Sequence, residues 1–387
     1  MVMIFDTIKD FVYASAQAAK LKDECADIVF YAEGEHDWPF IGPLMQSLED
    51  KTDQKITYLT SERHDPRLQE NTSQRQNYYI GAGVIRDNVL RHIDTKLMVM
   101  TLTDLENMRV KRSVHPVHYV YLFHSLNSTH MVYRQGAFDH YDTLFCPAPY
   151  HIREIRANEE QQGLKKKNLV EYGYPLLENL RNKARQKQTP EKQEQTSIKI
   201  LIAPSWGVGS LVDENHLEKV IPILLNANFA VILRLHPMSL RHQSKRIAKW
   251  ENDFEQMGHF EIDRGISSNE AFFNADLMIS DWSGAAYEFA YARERPVLYI
   301  ETPPKVHNLD WQNLNIEPFE MEARNTLGQS LRLENINDLP VMILKLLQER
   351  ESFRQKISTL RERNVFNMGN SSEIGIQKII ELLNELK

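Results

Sequence analysis

With 387 residues, 42% of them hydrophobic and 26% charged, the chain is long enough for two domains, each with its own core. A formal net charge of −7 argues against a general nucleic-acid binder. Two cysteines, Cys25 and Cys146, with no Cys-x-x-Cys pair, exclude a disulfide framework and fit a reducing cytoplasm.

No apolar run approaches the ~20 residues needed to cross a bilayer, and the start, Met1 to Phe5, lacks the basic leader of a signal peptide. Ile4, Ile8, Phe11, Val12 and Ala18 recur at helical spacing and predict an amphipathic opening helix packed on the body of the protein. Its polar face is not strongly basic, so any membrane contact is expected to be peripheral.

Asp27 to Ala32 predicts the first strand; Glu33 to Trp38 is a loop, and Pro39 suits the first turn of a helix reaching about Glu49. Lys55 to Thr60 is a second strand, followed by a polar loop through Asn77. Gly81-Ala-Gly83 lacks the third glycine of a dinucleotide fingerprint and reads as a turn. Lys96 to Thr101, His118 to Phe123, Tyr141 to Phe145 and Asn168 to Glu171 complete a first set of strands alternating with helices, hence a mainly parallel sheet.

Arg181 to Ser197 is charged, without an apolar period, and reads as a hinge or linker. The α/β pattern then restarts: strand Ile198 to Ala203, helix Asp213 to Leu225, strand Phe229 to Leu235 ending at His236-Pro237, helix Leu240 to Glu255. Leu277 to Ile279 is a strand covered on both faces, Ser280 to Gly284 supplies turn and cap residues, Ala285 to Ala292 is helical, and Val297 to Ile300 is the next strand. The tail from Asp338 to Lys387 predicts helix, broken near Asn364 to Asn370.

The expected architecture is therefore α/β: two doubly wound, Rossmann-like domains, residues 1–180 and 198–387, the second carrying the helical tail. They are joined by the hinge 181–197, and their carboxyl edges are expected to face each other across a cleft. Ligands of such sheets bind outside the carboxyl ends of the strands. The informative polar residues fall at those ends: Glu33 to His36, His124-Ser125, Ser205-Trp206, His236-Pro237 and Ser280 to Gly284.

His124, directly after a strand, can take up a proton near neutral pH, or it can be one of several structural histidines with His115, His118, His130 and His140. The spacing His124-x5-His130 matches no usual zinc pattern. Trp206 can stack on a base or fill a core. Arg234 and His236 can donate to phosphate oxygens, and Ser283 can seat a phosphate at a helix N-terminus or merely cap that helix. There is no Gly-x-Ser-x-Gly elbow, no P-loop and no Asp-x-Asp pair.

Tyr172-Gly-Tyr-Pro175, Ala203-Pro-Ser-Trp206, Arg234-Leu-His-Pro237, Ser280-Asp-Trp-Ser283 with Glu288-Phe-Ala-Tyr291 and Arg295-Pro296, and Gly369-Asn-Ser-Ser-Glu373 follow in that order. Together they resemble the CDP-glycerol glycerophosphotransferases of teichoic acid and capsule synthesis, over roughly Leu97 to Leu383. The resemblance implies a GT-B fold and transfer of glycerol phosphate, or a related polyol phosphate, from a CDP-activated donor to a polysaccharide or lipid-linked acceptor, with CMP leaving.

It further implies His124 as base and His236 at the donor phosphates. Arg234, Ser205, Trp206, Ser280, Asp281, Ser283, Gly284 and Glu288 stand around the donor, and Glu33, His36 and Ser125 on the acceptor side. Two departures stand out: Ser125 replaces the glycine of the family's His-Gly pair, and Gly284 replaces the second serine of its Ser-Ser loop. No resident cofactor or protein-bound metal is expected, though a divalent cation can accompany the nucleotide. The expected location is the cytoplasm, with peripheral contact at most on the inner face of the plasma membrane. The alternatives are a nucleotide-sugar glycosyltransferase or sugar-nucleotide epimerase of the same fold, and a non-catalytic nucleotide-sugar-binding subunit.

Overall fold

The computed structural model describes residues 2–70, 72–187, 197–265 and 269–386, which fall into two compact units. The first is Met1–His124, Tyr133–Leu176 and Val365–Lys387; the second is Ser125–Val132 and Leu177–Asn364.

Seven strands build the sheet of the first unit: β1 (Ile28–Ala32), β2 (Ile56–Thr60), β3 (Arg75–Tyr79), β4 (Leu97–Met100), β5 (His118–Leu122), β6 (Thr143–Cys146) and β7 (Asn168–Glu171). Their order is β3-β2-β1-β4-β5-β6-β7, with every pairing parallel. Strand order reverses between β1 and β4, the switch point at which such sheets open a crevice. β1 and β2 are buried along their whole length, which is why they read as apolar runs without alternation.

Of the helical tail expected in the second domain, the helices Leu339–Gln348 and Arg350–Asn364 lie in the second unit, whereas Val365–Lys387 lies in the first. Ile379, Leu382 and Leu383 of the helix Ser371–Glu385 share a core with Phe30, Leu44, Met45, Leu48 and Val99. Each such side chain, fully buried, stabilises by roughly 1.5–3 kcal/mol. Gly173, at φ +104°, leaves room for Ser371 and the Phe366 carbonyl, so two of the sequence motifs meet as packing partners.

The opening helix runs Val2–Glu24, as its spacing predicts, but docks by a different face. Ala14 and Leu21 are buried, whereas Phe11 and Val12 are 57% and 61% exposed; the side chains of Ile4 and Ile8 lie outside the described ones. Asp10 accepts from the Tyr79 hydroxyl at 2.8 Å, Tyr13 stacks on Tyr79, and the Ala14 methyl approaches Gly81, whose φ of +71° makes the turn. Polar anchoring and a glycine-sized gap, not the apolar stripe, orient the helix.

The second unit holds β8 (Lys199–Ile202), β9 (Ala230–Arg234), β10 (Phe260–Asp263), β11 (Leu277–Ser280), β12 (Val297–Glu301) and β13 (Gly328–Arg332), all parallel in the order β10-β9-β8-β11-β12-β13. Its switch point lies between β8 and β11. Of the expected hinge, Arg181 to Lys187 ends the helix Pro175–Lys187, and Arg181 pairs with Glu294 at 3.0 Å; residues 188–196 of that hinge lie outside the described residues.

The segment Ser125–Val132 is built into the second unit although its flanks belong to the first. The Ser128 N–H and hydroxyl donate to Glu320 Oε1 at 2.9 and 3.1 Å, and the His130 ring bonds the Ile316 carbonyl. The N–H groups of His307 and Asn308 donate to the Met131 carbonyl at 3.0 and 3.2 Å.

Candidate active site

Three loops leave the carboxyl ends of β8, β9 and β11, on either side of the switch point of the second unit. The first carries Ser205 and Trp206, the second His236, and the third Asp281 to Gly284. Asp281 ties two of them together. Its carboxylate is fully buried and accepts from the N–H of Ser205 at 2.6 Å, Trp282 at 2.6 Å and Leu211 at 3.0 Å. A buried carboxylate holding three backbone donors fixes loop geometry and has no exposed surface to offer a ligand. The expectation that Asp281 touches the nucleotide is corrected on that ground. Ser280 is corrected likewise: it is fully buried, and its hydroxyl donates to the Ala203 carbonyl at 2.8 Å.

His236 precedes the short helix Pro237–His242, and its Nδ1 accepts from the Met238 N–H at 3.1 Å. With Nδ1 used as acceptor, the neutral ring carries its proton on Nε2, a donor suited to an anionic oxygen. Trp206 is half-buried and not a core residue; its ring tilts by 31° against His236 at a centroid distance of 5.5 Å. Arg234 is committed elsewhere. It forms an ion pair with Asp263 at 2.8 Å, bonds Asn269 and lies over the Phe272 ring, contacts that tie the ends of β9 and β10 together.

The helix Ala285–Arg293 begins at this same edge. Its first backbone bonds are those of Ala286 to the Ser283 carbonyl and Tyr287 to the Gly284 carbonyl, both 3.1 Å, and the Ser283 hydroxyl faces the Ala285 N–H at 3.4 Å. The partial positive charge of these leading N–H groups favours an anion. Trp282 behind them is fixed by its Nε1–H on the Thr302 carbonyl and by the Arg324 guanidinium 4.1 Å over its ring. Glu288 is half-buried in the first helical turn.

In the first unit, His124 follows β5 and is half-buried in an aromatic surround of Phe40, Tyr121 and Tyr133. Its Nδ1 lies 3.1 Å from the Tyr121 hydroxyl. Tyr121 is fully buried, and that burial pushes its pKa well above the ordinary tyrosine value, so it remains a neutral phenol. When Nδ1–H donates to this phenol, the lone pair is on Nε2, the tautomer a general base requires. After β1, Glu33 is exposed and pairs with Arg86 at 3.2 Å; His36 is exposed too. Buried Asp37, next to His36, accepts from the Glu33 N–H and the Thr101 hydroxyl at 2.7 and 2.8 Å.

Residues 120–309 match the family model of CDP-glycerol:poly(glycerophosphate) glycerophosphotransferases, a span containing His124, Trp206, His236 and the Ser283-Gly284 loop. Over this span the chain is similar to that family. No curated protein matches the chain in sequence.

Among solved structures, the wall teichoic acid polymerase TagF is similar with a TM-score of 0.63 at 13% identity, covering 100% of this chain and 97% of that one. A variant of TagF soaked with CDPG gives 0.60 at 14%, over 99% and 96%. The UDP-GlcNAc 2-epimerase of Methanocaldococcus jannaschii, in complex with UDP-GlcNAc and UDP, gives 0.56 at 14%, over 92% and 99%. Likeness at such identities is one of fold: two Rossmann-like, parallel-sheet domains of the GT-B kind.

Sequence reasoning missed several residues of these edge loops. Asn127 follows Ser125 and bonds it through both Oδ1, at 2.7 Å, and its N–H, at 3.1 Å. Gly207 and Gly209, at φ +97° and +84°, shape the loop after Trp206, and the Gly-x-Gly spacing beside that tryptophan was the available signal. Lys305, after β12, had none. Among the described residues, no group of three or more His, Cys, Asp or Glu side chains is arranged to hold a metal ion, and no helix is long and apolar enough to cross a membrane.

Proposed function

We propose that the protein transfers glycerol phosphate from CDP-glycerol to a hydroxyl of a surface-polysaccharide or lipid-linked acceptor. The match of residues 120–309 to the glycerophosphotransferase family carries this reading. The acceptor oxygen attacks the phosphorus that bears glycerol, the bond from that phosphorus to the bridging oxygen breaks, and CMP leaves with the bridging oxygen. The hydroxyl proton passes to His124 Nε2, with Tyr121 holding Nδ1.

Phosphoryl transfer of this type asks mainly for alignment and for donors aimed at oxygens that gain charge. His236 Nε2–H, the Ser283 hydroxyl and the leading N–H groups of the helix Ala285–Arg293 are the donors we assign to the phosphates. Trp206 offers a flat face to the nucleotide, and Glu33, His36 and Ser125 remain the acceptor-side candidates. A divalent cation, where needed, would arrive with the nucleotide. The expected place of the reaction is the cytoplasm, with peripheral membrane contact at most.

Product analysis with CDP-glycerol and a polyol-phosphate primer tests the reading. CMP released in step with phosphoglycerol addition is the expected result. A released nucleoside diphosphate with glycosyl transfer would move the chain to the glycosyltransferases, and tight CDP binding without turnover on any acceptor would make it a binding subunit.

A further inference from the structure

Lys305 lies in the loop after β12, at the edge that also carries Trp206, His236 and Asp281. Its ammonium sits 4.7 Å from the centroid of the Trp206 ring, whose indole tilts against His236. Pro303 of the same loop packs 3.6 Å from where a Cβ on Gly209 would be, so the Lys305 loop is seated on the Trp206 loop. Lys305 is half-buried, and no ion pair within 4 Å satisfies it among the described residues; the Asp281 carboxylate acts on it only from further away. Removing a cation from water without a counter-ion is costly, and the cation–π contact with Trp206 offsets only part of it.

We propose that Lys305 is a second cation of the donor site, its ammonium meeting, with His236 Nε2–H, the phosphate oxygens of the bound CDP moiety. The inference rests on reading the β8, β9 and β11 loops as that donor site. A lysine serves there as a point charge that follows the phosphates without the fixed fork of an arginine.

The same surroundings make the charge sensitive to pH. Burial pushes the Lys305 pKa down to about 8, and the Asp281 carboxylate opposes that fall. The titratable groups facing the ammonium are Asp281 from the β11 loop and, across Trp206, His236 from the β9 loop. A lysine that must be protonated to bind contributes fully below its pKa and is lost as pH rises through it. Bound phosphate draws the pKa back up, so affinity falls from about pH 8, the ligand-free value, until the pH reaches the raised bound-state value.

Calorimetric titration of CDP between pH 7 and 9.5 tests this on wild type, Lys305→Gln and Lys305→Arg, with a melting curve for each variant. Lys305→Gln is expected to weaken binding by ~10-fold or more at pH 7. Wild-type affinity should fall above pH 8, and Lys305→Arg, charged throughout this range, should not show that fall. Lys305→Gln binding like wild type overturns the inference while leaving the donor site intact. So does a wild-type profile that is flat or matches that of Lys305→Arg, even if Lys305→Gln does not fold. If the wild type binds UDP and not CDP, the cytidine reading fails and the same comparison is decided with UDP. A wild type that binds neither overturns both.

Discussion

The Ser125 Oγ stands 3.0 Å from the point a Cβ on Gly284 would occupy, and Asn127 Oδ1 stands 2.8 Å from it. Ser125 and Gly284 are the two departures from the family's His-Gly and Ser-Ser patterns, and they are in contact. A serine at 284 could not coexist with the Ser125–Asn127 turn unless that turn moved.

Gly284→Ala is therefore expected to cost about 1–3 kcal/mol by overpacking and to weaken nucleotide binding by shifting the Ser283–Ala285 loop. Ser125→Gly removes the hydroxyl that holds Asn127 Oδ1 and lets that side chain withdraw. The double variant should recover part of the loss, a coupling of about 0.5–3 kcal/mol in a melting-curve cycle. Strict additivity would show that the contact constrains nothing.

Replacing His124 by Ala should cut turnover by ~10²–10⁴-fold, the span for a lost general base, while CDP affinity stays near the wild-type value. Tyr121→Phe removes the partner of Nδ1. A neutral hydrogen bond of about 1 kcal/mol corresponds to roughly a fivefold to tenfold loss in rate. Its pH–rate profile should also change on the acidic limb, where the histidine protonates; a purely structural tyrosine would leave that limb in place. Unaltered turnover in His124→Ala overturns the assignment of the base.

Much of this was legible because apolar strands buried on both faces, such as Ile28–Ala32 and Leu277–Ser280, stand out, and the polar residues after them mark the carboxyl edge. The strands that sequence reasoning passed over were β3 (Arg-Gln-Asn-Tyr-Tyr), β10 (Phe-Glu-Ile-Asp) and β13 (Gly-Gln-Ser-Leu-Arg). All three lie at the edge of a sheet, where one side lacks a neighbouring strand and the apolar run is not required. The docking of Val365–Lys387 on the first unit, and of Ser125–Val132 in the second, depends on contacts distant in sequence, with no local periodicity to announce them. Ser280 and Asp281 stand in sequence where ligands are expected, and only the geometry reveals that their polar atoms turn inward.

Asp281→Ala should be among the more damaging single changes in the second unit. It strands the N–H groups of Ser205, Leu211 and Trp282, at about 1–3 kcal/mol for each buried donor left unpaired. Asp281→Asn keeps the volume but presents an NH₂ where one oxygen accepted, so an intermediate loss of stability is expected. Denaturant unfolding of both variants checks the order. Full stability of Asp281→Ala with lost CDP binding would restore Asp281 to the ligand contacts.

His236 does two things that can be separated, because its nitrogens have different duties. Nδ1 caps the helix Pro237–His242 through the Met238 N–H, and Nε2–H is the donor assigned to phosphate. His236→Ala loses both: about 1 kcal/mol of stability from the cap, and the phosphate contact. His236→Asn keeps a side-chain oxygen that can take the Met238 N–H, but it is too short to put a donor where Nε2 stands. It should melt near wild type while binding CDP ~10-fold or more weakly, the expectation for a lost hydrogen bond to a charged group. Equal CDP affinity in wild type and His236→Asn, with a fall only in the melting temperature of His236→Ala, would reduce this histidine to a helix cap.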